Sequence, residues 1–110
     1  MSKFALFFSY TPQTWAKMIT NPKDRTGAVR ELASALGGSV EAFYYMFGER
    51  DGFVVLDLPD DTDAAAVALG VNSTGAFDSV QTHVLIEPAN LSVVLGKAKT
   101  AIDHYTAPGS

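Results

Sequence analysis

Cysteine is absent from the 110 residues, and histidine occurs only at positions 83 and 104. The first absence removes disulfide scaffolds, thiolate metal sites, CxxC redox chemistry and cysteine nucleophiles. The second leaves no HxxxH or ExxH pair to hold a metal, because His83 and His104 are far apart in the chain. Basic residues are also scarce: 8 Lys and Arg stand against 12 Asp and Glu, for a net charge of −4 and a pI near 4.9. Phosphate backbones and anionic lipid reward clustered cations, so nucleic acid and membrane surfaces are disfavoured as partners. No apolar run approaches the roughly 20 residues that cross a bilayer. The apolar run at the amino end, Phe4 to Phe8, is shorter than the roughly 7–15 residues of a signal-peptide core. A cytoplasmic protein is expected. Gly37 and Gly38 stand in no GxGxxG context, which leaves nucleotide binding unsupported, and no cofactor is expected.

Apolar residues make up 47% of the chain and charged ones 18%, enough side chain to offset the entropy of ordering a globular core. The length suits one domain, expected over residues 1–105, with Thr106 to Ser110 as a frayed tail. Residues 3 to 10 carry β-favouring aromatics and stop at Thr11 and Pro12, an N-cap followed by proline at the first helical position. Asn21 to Asp24 repeats that signal, predicting a broken helix whose second part sets Val29, Leu32, Ala33 and Leu36 on one face before Gly37 and Gly38. Strands are predicted at Ser39–Phe47 and Phe53–Leu58, then a helix capped near Asp60 and running to about Val71. A strand over Phe77–Glu87 and a last helix from Pro88 complete the chain. The order βαββαβ plus a terminal helix predicts an α+β fold with one antiparallel four-stranded sheet and helices on a single face, a ferredoxin-like arrangement.

Asp51 and Gly52, lying between two β-favouring runs, read as a two-residue hairpin turn, which places Arg50 opposite Phe53 and Tyr45 opposite Leu58. In that register Phe43, Tyr45, Phe47, Val54, Leu56 and Leu58 sit under the helices. Tyr44, Met46, Gly48, Phe53, Val55 and Asp57 take the uncovered face. The last strand contributes Gln81 and His83 to the uncovered face, so His83 and Asp57 share it. Strand one is apolar on both sides, and its faces stay unassigned. An open, partly apolar sheet face calls for polar side chains or a second subunit.

Several short segments, taken in order, resemble the GYD domain family of small bacterial proteins. They are Ser9 to Pro12, Asn21 to Arg25, Tyr44 to Gly48, Asp51 with Gly52, and Val55 to Asp61. Arg50 stands where the tyrosine that names the motif is expected, so any role of that tyrosine is not carried over. The resemblance implies a dimeric α+β barrel, in which two subunits join their open sheet faces around a shared interior. It implies no catalytic residue set, and related barrels host heme enzymes, cofactor-independent oxygenases, isomerases and effector-binding modules.

The expected function is a homodimer that binds a small aromatic or apolar organic molecule, with cofactor-independent acid–base catalysis as its enzymatic form. In that form His83 moves the proton, Asp57 orients it or acts as the base, and Tyr44 polarises the substrate. A lone histidine is more often an interface or cavity-wall residue, and His83 reads first as that. Tyr10, Trp15, Met46, Phe53 and Gln81 are the candidate ligand contacts, since such pockets combine apolar walls with a few polar groups. A non-catalytic sensing or carrier module and a structural oligomerisation unit are the alternatives.

Overall fold

The structure, a computed structural model, describes residues 1–110. Its elements are β1 (Ser2–Tyr10), α1 (Pro12–Thr20), α2 (Thr26–Ala35), β2 (Ser39–Tyr45), β3 (Gly52–Leu58), α3 (Asp61–Asn72) and β4 (Phe77–Leu85). A 3₁₀ turn at Pro88–Asn90 then leads into α4 (Leu91–Asp103). The strands form one antiparallel sheet in the order β2-β3-β1-β4, the ferredoxin-like layout that the element order predicts. No helix is long and apolar enough to cross a membrane.

The caps that start α1 and α3 are the ones the residue types dictate, whereas Asn21, expected with Pro22 to start the second helical segment, ends α1 instead, and α2 begins only at Thr26, with no side-chain cap from Arg25. Thr11 Oγ1 accepts from the Thr14 amide at 3.1 Å, and Pro12 needs no partner at the first helical position. Asp60 and Asp63 make a capping box at α3: Asp60 accepts from the Thr62 and Asp63 amides and the Thr62 hydroxyl, and Asp63 accepts from the Asp60 amide. These bonds favour the Asp60 carboxylate, holding its pKa below the ordinary value. At the end of α2, Gly37 takes φ +79°, with its amide bonded to Ser34 O and the Gly38 amide bonded to Ala33 O, a Schellman close. Gly38 is confined for another reason: a Cβ there would lie 2.1 Å from the Asp57 carbonyl oxygen.

Alternation in β3 is strict. Gly52, Val54, Leu56 and Leu58 are buried while Phe53, Val55 and Asp57 are half-buried, so the helices cover the first set and the second faces the open side. Phe4, Leu6, Ala33, Val54, Leu56, Leu58, Ala64 and Val67 form the core. On β1 the unassigned faces resolve with Phe4, Leu6, Phe8 and Tyr10 under the helices, all buried.

The β2–β3 hairpin departs from the expected register. Tyr45 pairs with Gly52 and Tyr44 with Phe53, so Met46 to Asp51 form a six-residue loop rather than a two-residue Asp51–Gly52 turn. Asp51 is drawn out of any tight turn by β1 and α1. Its Oδ2 accepts from the Tyr10 amide and from Trp15 Nε1, both at 2.9 Å. Its own amide donates to Phe8 O at 2.9 Å, and its carbonyl accepts from the Met46 amide at 2.8 Å. Gly52 is in the strand, where a Cβ would stand 2.7 Å from the Phe8 ring and from the Tyr44 carbonyl oxygen. The slip is an even number of residues, so the residues that stay in the strands keep their faces, Phe43 and Val54 on the covered side and Tyr44 and Phe53 on the open side. Phe47, expected under the helices, instead lies exposed in the loop with Met46 and Gly48. The bulge in this pair falls at Glu41, between Val40 and Ala42.

The chain beyond the sheet is the second departure. Every residue from Gln81 onward is exposed, and α4 packs chiefly on the 3₁₀ turn that begins it. The radius of gyration is 17.5 Å and the long axis 57 Å, whereas a compact chain of this length has a radius of about 13 Å. The helix projects from the domain.

Replacing Gly38 by Ala forces the chain apart where α2 meets β3 and is expected to cost about 1–3 kcal/mol. Gly70→Ala, on an exposed face of α3 with nothing within 4 Å, stabilises by about 0.5–1 kcal/mol. Urea unfolding separates the two, and equal effects would contradict the close approach. Asp51→Ala removes an acceptor shared by two donors and is expected to lose about 2–4 kcal/mol. Asp51→Asn keeps an acceptor oxygen and should lose less than half of that.

Candidate functional site

A cavity of about 470 Å³ opens on the helical side of the sheet. α2 packs chiefly over β2 and α3 chiefly over β4, and the cavity lies between the two helices. Leu6, Phe8, Val54 and Leu56 make its floor; Val29 and Leu32 of α2 face Val67 and Val71 of α3 across it. The volume falls in the range of small-molecule sites, about 300–1,000 Å³. Six polar residues complete the lining: Thr14, Lys17, Asn21, Lys23, Arg25 and Thr74. Three are cations and none is a carboxylate.

Tyr10, buried at one end of this cavity, is packed by aromatic rings on several sides. Trp15 meets it edge-on at 5.1 Å and Phe77 lies at 5.1 Å, tilted by 44°. Its hydroxyl bonds the Tyr45 hydroxyl at 3.2 Å. Burial first, then the Tyr45 hydroxyl, push the Tyr10 pKa well above the ordinary value, and the nearby Arg25 guanidinium opposes the shift. Beyond Trp15 the aromatic cluster ends at Phe47, exposed and stacked on Tyr45 at 6.0 Å, with φ +46°. A bulky side chain rarely takes that conformation.

The open face carries the other expected residues. Tyr44, Phe53, Phe7 and Gln81 lie level across the four strands, with Phe53 5.8 Å from Tyr44 and 5.7 Å from Phe7. Met46, Gln81, His83 and Arg50 border a shallow, open depression beside Phe7. His83 and Asp57 share this face but do not meet within the chain. His83 is level with Ala5 and Val55, Asp57 is level with Lys3, and β1 lies between their strands. His83 packs edge-on against Phe7 at 5.3 Å and 89°. Asp57 and Glu41 instead hold Lys3, at 3.2 and 2.8 Å. Those two partners raise the Lys3 pKa, the Glu41 bond contributing most. Arg50, in place of the motif tyrosine, donates from Nη1 to Ser79 Oγ at 2.7 Å and ties the hairpin loop to β4.

The sheet thus divides the expected ligand contacts. Tyr10 and Trp15 belong to the helical side; Met46, Phe53 and Gln81 belong to the open side. Lys17, Lys23 and Arg25 were not among the residues expected at a site, although Asn21–Arg25 is one of the segments that carry the family resemblance. Asp51, read as a turn residue, is the acceptor that fixes Tyr10 and Trp15 in place.

The Tyr10 shift has a consequence for pH. Its neutral form is favoured by folding, so its contribution is complete below the ordinary value of 10.0 and declines as the pH rises above it. The melting temperature is expected to fall between pH 9.5 and about pH 11 more steeply for the natural protein than for Tyr10→Phe. Parallel curves would contradict this assignment.

Neither the curated proteins nor the solved structures contain a match to the chain. The family model described as "GYD domain" matches residues 4–95, a span that begins in β1, takes in the Asp51 loop and the cavity, and ends in α4. With most of its length inside that match, the chain belongs to the GYD domain family.

Proposed function

We propose that the protein is a homodimeric binder of a small aromatic or apolar organic molecule, which it takes into the helix-side cavity. The observation that carries this reading is the cavity itself, about 470 Å³ with fifteen of its twenty-one lining residues hydrophobic. Binding is favoured over acid–base catalysis because Asp57 is engaged by Lys3, and His83 contacts Phe7 rather than a carboxylate. A sensing or carrier role follows more directly from this arrangement than turnover does. A cytoplasmic location belongs to the same reading and suits a cysteine-free chain.

The dimer rests on a separate observation, the apolar surface the fold leaves uncovered. Of the sixteen large hydrophobic residues that are exposed, nine lie between Val84 and Tyr105. Isolated helices shorter than about 12–15 residues are marginal in water. The thirteen residues of α4 include Gly96 and the β-branched Val93, Val94, Thr100 and Ile102, which lower its propensity further. Leu91, Leu95 and Ile102 need a surface to pack on. Ile86 and Glu87 lead from β4 into the 3₁₀ turn, and α4 packs chiefly on that turn rather than on its own sheet. A second copy offers the same open sheet face and the same projecting helix, and a two-fold exchange covers both.

Two measurements test these readings. Calorimetric titration with 2-naphthol, neutral at pH 7, is expected to show saturable binding of one molecule per chain. Val29→Trp, which fills the cavity, should weaken it at least tenfold, while Phe53→Ser on the open face leaves it unchanged. The reverse pattern would move the site to the open face, and no binding would remove it. In sedimentation velocity at about 10 µM the protein is expected to be a dimer, and the Leu95→Asp, Ile102→Asp double variant a monomer. A monomeric natural protein would overturn the dimer.

A further inference from the structure

The cavity has an apolar interior and a mouth of one charge sign. Lys17 lies on α1, and Lys23 and Arg25 lie in the connection from α1 to α2. All three line the cavity and are exposed. No carboxylate lines it, although acidic residues outnumber basic ones in the chain. None of these three cations makes an ion pair, since both ion pairs of the fold are made by Lys3, and Arg25 lies beside the Tyr10 hydroxyl.

The one acidic residue close to them in sequence is turned away. Asp24, between Lys23 and Arg25, accepts from the Thr26 amide at 2.9 Å at the start of α2. The bonds from Thr26 favour its ionised form, lowering its pKa. The connection therefore divides its charges, the carboxylate to the helix start and the two cations to the cavity. Within the mouth the uncharged polar groups are largely occupied. Thr14 Oγ1 donates to Ala76 O at 2.8 Å, and the Tyr10 hydroxyl is engaged by Tyr45. The three cations and the Asn21 amide are the polar side chains left to meet a ligand, and only the cations carry charge.

From this arrangement we infer that the ligand is a small organic anion, an aromatic or apolar body carrying a carboxylate or a similar acidic group. Its body lies on Phe8 and Leu56, and its charge lies at Lys17, Lys23 and Arg25. This rests on the cavity reading above and adds the chemical class of the molecule. Three cations without ion-pair partners repel one another and hold counterions, so an anionic ligand gains from all of them and a cationic one loses. Exposure limits each contribution to a few-fold in affinity, and added salt weakens the sum.

Matched probes test the inference on the full chain. Naphthalene-2-carboxylate, 2-naphthol and 2-naphthylmethylammonium share one apolar body and differ in charge. In calorimetric titration at pH 7 and low salt, the carboxylate is expected to bind about tenfold more tightly than the alcohol, with the ammonium weakest. In Lys17→Gln, Lys23→Gln, Arg25→Gln together, the carboxylate and the naphthol should bind within twofold of each other, and a retained tenfold preference for the carboxylate would overturn the assignment to these cations. Circular dichroism confirms that the triple variant is folded, and Arg25→Gln alone supplies a milder test, with a loss of twofold or more expected for the carboxylate only. Equal affinities for carboxylate and alcohol in the natural protein would overturn the anion assignment and leave the cavity reading standing. Failure of all three probes to bind would overturn both. Co-sedimentation with phosphatidylglycerol vesicles, without binding of the free carboxylate, would overturn it in favour of a lipid headgroup.

Discussion

The Asp51 carboxylate ties three parts of the chain together: the end of β1, the start of α1 and the hairpin loop. One oxygen accepts from the last amide of β1 and from the indole of α1, while the backbone of the same residue bonds β1 on one side and the hairpin loop on the other. Hydrophobic alternation by itself cannot choose between hairpin registers that differ by an even number of residues, because each presents the same side chains to the core. The choice needs a contact that is specific to one register. Asp51 provides it by bonding, and Gly52 provides it by having no Cβ where the Phe8 ring and the Tyr44 carbonyl oxygen come close.

That choice determines where the cavity can be. With the loop tied to β1, Tyr45 reaches the Tyr10 hydroxyl, and Phe8, Tyr10 and Phe77 close one end of the space between the helices. The same tie sets Arg50 against Ser79 across the top of the open face. The two sides of the sheet then differ in character. The helical side has an apolar cavity with cations at its entrance, and the open side has a nearly flat aromatic row with the Lys3 ion pairs at one end.

Element order, the faces of the paired strand residues, the caps of α1 and α3 and the family were legible in the residues, because each depends on local pattern: alternation in Phe53–Leu58, Thr11–Pro12 before α1, Asp60 before α3. The six-residue loop was not, since the Asp51–Gly52 dipeptide satisfies a tight turn just as well until β1 and Trp15 compete for the carboxylate. The sides of β1 were not legible either, because a central strand is apolar on both faces. Tyr10 and Trp15 were recognised as ligand-site candidates, but grouping them with Phe53 ignored the sheet that separates them. Lys17, Lys23 and Arg25 gave no signal of a site beyond the family resemblance of Asn21–Arg25; they line one cavity only once α1 and the connection to α2 pack against the sheet.

The bond from Trp15 to Asp51 also makes the protein its own optical reporter. Trp15 is the chain's single tryptophan, fixed by its indole nitrogen and edge-on to Tyr10 at the end of the cavity. Its emission therefore reports one environment instead of an average over several. A displaced Tyr10 ring, a filled cavity or a broken Asp51 bond would each change that emission without any label being attached.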